Sequence, residues 1–111
     1  MEVEIKAWAY DILTAVQEIE AFLSDISGFE SYQADIKTKR AIERNLEIIV
    51  EATSRIIKRN TDIELTDARK IVETRNRIIH GYDTVSDEII WNIITNNLST
   101  LKREVEQLLE A

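Results

Sequence analysis

The chain has 111 residues with no cysteine, no proline, two glycines and one histidine. Disulfides, thiol nucleophiles, thiolate metal sites and a multi-histidine metal site within one subunit are therefore excluded. The 21 acidic against 14 basic side chains give a formal net charge of -7, which at first sight argues against a nucleic-acid partner. No apolar run approaches the ~20 residues of a membrane span, and the acidic N-terminus does not read as a signal peptide. The expectation is a single domain over residues 1–111, soluble, unexported and cytoplasmic, with no membrane partner and no cofactor.

From Val3 to Ile26 the apolar residues Ile5, Trp8, Ile12, Val16, Ile19, Leu23 and Ile26 recur every three or four positions. This spacing predicts one long amphipathic helix, with Glu2 and Glu4 near its positive end and Trp8 in the core. Ser27-Gly28 ends it, and Phe29 and Tyr32 pack over the connection. A second helix is expected to begin between Ser31 and Asp35 and to run to about Arg59, on a stripe of Ile36, Ile42, Leu46, Ile49, Thr53 and Ile56 broadened by Ile48, Val50 and Ile57. So wide a stripe touches neighbours on more than one side. Arg44, Asn45, Glu47 and Glu51 interrupt it, either as a surface ladder or as a polar seam joining Arg44 to Glu47 or Glu51.

After a polar connection over residues 60–65, Thr66 or Asp67 offers an N-cap for a third helix that ends at His80, with Ala68, Ile71, Val72, Ile78 and Ile79 inward. A turn over residues 81–85 follows. Ser86 is the expected N-cap of the last helix, Val85 staples against Ile90, and Trp91, Ile94, Leu98, Leu101, Val105 and Leu108 carry helical spacing to the end. Four helices on short connections predict an all-α antiparallel bundle.

The charge is unevenly distributed. Residues 37–77 hold 11 of the 14 Lys and Arg against seven acids, while both ends of the chain are acidic. The basic middle is either an ordinary solvated face or an anion-binding strip whose acidic flanks limit indiscriminate RNA binding.

Within that middle lies Arg75-Asn76-Arg77-Ile78-Ile79-His80-Gly81-Tyr82, which contains the only histidine. His80 followed by Gly81 is accounted for by a helix C-cap. The Arg-Asn pair one turn earlier and Tyr82 two residues later are not.

The pattern R-N-x-x-x-H-x-Y, followed by an acidic turn and Asp87-Glu88-Ile89-Ile90-Trp91, resembles the HEPN superfamily and, within it, the HepT-like toxins of prokaryotic toxin–antitoxin pairs. The run from Ala41 to Ala52 and the ending Leu98-Ser99-Thr100-Leu101-Lys102 are similar to other parts of that family. Many relatives carry a Pro-Trp element before the Arg-Asn pair, where this chain reads Asp62 to Arg69 without proline. The resemblance implies a HEPN-type bundle that forms a homodimer with its active site in the interface. It further implies a metal-independent endoribonuclease toxin leaving a cyclic phosphate, paired with an MNT-type nucleotidyltransferase antitoxin that adds AMP to Tyr82, alone or within a larger assembly.

If RNA is the substrate, His80 can act as base or acid, because an unperturbed imidazole titrates near neutrality. Arg75 matches phosphate oxygens with a planar donor fork, and Asn76 and Arg77 support or orient the phosphate. Arg75 and His80 lie five residues apart, roughly 140° around a helix turning ~100° per residue. One rigid copy does not converge them easily; two copies meeting at the ends of their third helices would supply two arginines and two histidines to one cleft. AMP on Tyr82 would place negative charge and bulk where the substrate phosphate sits. Besides the nuclease, the residues admit a non-catalytic nucleotide- or RNA-binding partner of a nucleotidyltransferase, and a dimerisation domain in which His80 only caps a helix.

Overall fold

The computed structural model describes residues 1–77 and 84–111. They form six helices: α1 (Val3–Leu23), α2 (Phe29–Ala34), α3 (Ile36–Arg59), α4 (Thr66–Arg77), α5 (Thr84–Asn96) and α6 (Leu98–Glu110). Among the described residues there is no strand, and the all-α bundle read from the sequence is what forms.

The central unit is α1 against α3. Ile5, Ile12, Val16 and Ile19 from α1 meet Ile42, Ile49 and Ile56 from α3, all buried. At the open end, Arg59 Nη2 lies 3.1 Å from Glu2 and 3.4 Å from Glu4, so the end of α3 sits beside the start of α1 and the two run antiparallel. Lys102 Nζ bonds Glu20 Oε1 at 3.0 Å, setting the early part of α6 beside the late part of α1. Burial of these branched side chains supplies the main driving force, at about 25 cal/mol per Å² of apolar surface.

The structure departs from the sequence periodicity in four places. First, α1 stops at Leu23 and not at Ile26. The Ser24 N–H and hydroxyl both donate to Ala21 O, at 3.3 and 2.7 Å, which tightens the turn and ends the regular ladder. Gly28 is extended at φ 175 and starts α2, so it supplies no left-handed cap.

Second, Phe29–Ala34 is a helix in its own right. It separates from α3 at Asp35, whose side chain accepts the Thr38 N–H at 3.0 Å and the Thr38 hydroxyl at 2.8 Å. These bonds satisfy the first turn of α3 and hold the carboxyl below its ordinary range. Tyr32 is buried beneath Phe29 and Trp91, with ring centroids 6.5 and 5.3 Å away.

Third, the last helix is two helices meeting at Asn97, the N-cap of α6. Thr95 Oγ1 donates back to Trp91 O at 2.7 Å, and Asn96 bonds Asn92 through their side chains. Such local bonds compete with the helical ladder and bend it.

Fourth, the two expected caps are not used. Thr66 is the first residue of α4, and Ser86 is buried inside α5. The first turn of α4 is capped from α6 instead: Glu104 Oε2 accepts the Asp67 N–H at 3.0 Å and Oε1 the Ala68 N–H at 3.1 Å. The expected end of the third helix at His80, the turn that follows and the Val85 staple lie outside the described residues.

Candidate functional site

α4 carries the first half of the motif and lies against α3. Its inner face is Ala68 and Ile71, both buried, and Arg75 lies two residues before the last residue, Arg77. From there the guanidinium reaches the middle of α3. Arg75 Nε donates to Glu47 Oε1 and Nη2 to Glu47 Oε2, both at 2.6 Å. Two short parallel bonds of this kind are the strong form of an arginine–carboxylate pair. Arg75 Nη1 also donates to the Asn76 side-chain oxygen at 3.3 Å. The Glu47 hydrogen bonds, and the negative charges of Glu47 and Glu51, hold the guanidinium proton more tightly than usual. The pair is half-buried, with 28% of the Arg75 side chain and 38% of the Glu47 side chain open to solvent.

The seam from Arg44 to Glu47 or Glu51, weighed against a surface ladder, does not form among the described residues. Glu47 turns away from its helical neighbour Arg44 and takes Arg75 from α4. Arg44 is exposed and makes no ion pair with a described residue. Asn45 leaves the polar face altogether: it is buried, and its amide donates to Ala41 O at 3.2 Å. Part of the basic middle is neutralised, Lys39 by Asp87 at 2.8 Å and Arg59 by Glu2 and Glu4. Lys37, Arg55, Lys58, Arg69 and Lys70 are exposed and make no ion pair with a described residue.

Of the site residues read from the sequence, Arg75 and Asn76 come together, and Arg77 ends α4. His80 and Tyr82 lie outside the described residues. The residue that sequence reading left without this role is Glu47.

A family model described as "Ribonuclease HepT-like" matches residues 12–108. The chain belongs to the HepT-like family. Within it, the chain is 34% identical to "Probable ribonuclease HepT" of Thermococcus cleftensis over 107 residues, covering 93% of this chain and 94% of the relative. It is 29% identical to "Putative RNase MJ0127" of Methanocaldococcus jannaschii over 111 residues, 96% of this chain and 88% of the relative. A third relative, "Putative RNase TTE0752" of Caldanaerobacter subterraneus, is 31% identical over 98 residues, 86% of this chain and 88% of the relative. No solved structure matches. The HepT-like match spans the Arg75–Glu47 pair and the whole motif from Arg75 to Tyr82.

Proposed function

We propose that the chain is an endoribonuclease toxin that cleaves RNA without a metal ion, at a composite site built from Arg75 and His80 of two copies. The observation that carries this reading is the HepT-like family match over residues 12–108, whose relatives are named as ribonucleases. It is supported by the placement of Arg75 at the solvent edge of α4, five residues before His80.

The chemistry balances within these residues. One His80 imidazole takes the proton of the ribose 2′-hydroxyl, whose oxygen attacks phosphorus; the bond from phosphorus to the 5′-oxygen breaks, and an imidazolium returns a proton to that oxygen. A 2′,3′-cyclic phosphate and a 5′-hydroxyl result. Arg75 meets the charge that builds on the non-bridging oxygens, and Asn76 and Arg77 orient the phosphate. The two histidines of a homodimer serve as base and acid.

Control falls to Tyr82. A cognate MNT-type nucleotidyltransferase would join the phenol oxygen to the α-phosphorus of ATP with loss of pyrophosphate. The added AMP then occupies the substrate phosphate's place with like charge.

Expression in a bacterial host tests the reading. The unmodified protein arrests growth and fragments cellular RNA, and Arg75→Ala or His80→Ala does neither. Growth and RNA left intact by the unmodified protein, with Tyr82 shown by mass spectrometry to carry no AMP, contradict it.

A further inference from the structure

We infer that Glu47 is a positioning residue for this site, fixing the Arg75 guanidinium so that its outer Nη1/Nη2 edge is presented to an RNA phosphate. The inference rests on the ribonuclease reading above. A guanidinium has five N–H donors. Glu47 takes the side edge, through Nε and one hydrogen of Nη2, and the Asn76 oxygen takes one hydrogen of Nη1. Among the described residues, one N–H on each terminal nitrogen has no partner, on a side chain that keeps 28% of its surface in solvent. Two N–H groups on neighbouring nitrogens match two non-bridging phosphate oxygens.

The choice of partner marks the pair as more than a surface bridge. Glu47 has Arg44 three residues before it on α3, where helical neighbours ordinarily pair. It binds instead a residue 28 positions away, through both oxygens at 2.6 Å. A free arginine side chain samples many rotamers, and anchoring removes that freedom before substrate arrives. The anchor also offsets part of the cation's pull on phosphate, so Glu47 favours geometry over ground-state affinity. A half-exposed ion pair adds little to folding, so its removal leaves the fold in place.

The test is steady-state RNA cleavage by Glu47→Ala and by the isosteric Glu47→Gln, each also made in an Arg75→Lys background, with melting curves to verify folding. Because misplacement of a catalytic group by about 1 Å can cost 10²-fold, kcat of Glu47→Ala should fall by about that factor while KM stays level or drops. Glu47→Gln, which keeps one acceptor, falls less. With lysine at position 75 there is no fork to orient, and removing Glu47 should cause no further loss. An unchanged kcat in folded Glu47→Ala, or a loss that persists undiminished beside Arg75→Lys, overturns the inference.

A second readout does not depend on cleavage. The Arg75 Nε–H, assigned by its absence in Arg75→Lys, should give a slowly exchanging ¹H–¹⁵N signal that Glu47→Ala abolishes. If the native protein cuts no RNA, the ribonuclease reading fails, and this signal alone decides the anchoring: its absence from the native protein overturns it.

Discussion

Glu104 on α6 holds the first turn of α4 at Ala68, whose N–H it accepts at 3.1 Å while its other oxygen accepts the Asp67 N–H at 3.0 Å. The helix that carries Arg75 is therefore anchored at both ends from other helices, by Glu104 at its start and by Glu47 near its last turn. Two N–H groups that no local cap satisfies are paired across 36 and 37 residues of sequence. Glu104→Ala should cost about 1 kcal/mol, as loss of a helix cap does. For a domain of this size that lowers Tm by roughly 4 °C. Glu104→Gln keeps one acceptor and should recover part of it. Thermal denaturation followed by circular dichroism checks both, and an unchanged Tm in Glu104→Ala would show that the cap is not needed.

Tyr32 gives a pH-dependent prediction. Burial pushes its phenol above the ordinary value of 10.0, and the negative charges of Asp87 and Glu43 push it the same way. The folded chain therefore holds this proton more tightly than the unfolded chain. Its contribution to stability is complete below pH ~10, the ordinary phenol value, and is lost as pH rises from there through the folded-state value, at up to about 1.4 kcal/mol per pH unit. The hydroxyl also finds no hydrogen-bond partner among the described residues, so Tyr32→Phe should hold or raise stability at pH 7 by about 1 kcal/mol. Urea midpoints at pH 8 and pH 11 separate the two effects: the native protein loses more between them than Tyr32→Phe. Equal losses would place the phenol's titration elsewhere.

The proposed two-copy site predicts that activity depends on association. If each cleft needs residues from two copies, specific cleavage activity should fall on dilution through the dimer dissociation range measured by sedimentation. Specific activity constant well below that range would mean that one copy suffices.

Much of the fold can be read from periodicity, because Ile5, Ile12 and Ile19, or Ile42, Ile49 and Ile56, return to one helical face and are all buried. The break at Asn97 is hidden for a physical reason. Its backbone stays near helical, at φ -113 and ψ -13, so Ile94, Leu98 and Leu101 keep their phase across it. The short helix α2 has six residues, too few to display a period. Arg75 and Asn76 announce themselves by residue chemistry in an apolar segment. Glu47 and Glu104 do not, because each serves a helix 28 or more residues away. In a linear sequence they look like ordinary charges on a solvated face, and only the packing of α4 against α3 and α6 gives them partners.

Whether His80 cuts RNA without metal is decided by cleavage of a defined RNA in EDTA by the purified protein and its His80→Ala form, with analysis of the product ends. Chelator-resistant cutting by the native protein, 2′,3′-cyclic phosphate ends and no cutting by His80→Ala are the predicted results. Cutting by His80→Ala at the native rate, or native activity that EDTA abolishes, would contradict metal-independent cutting by His80.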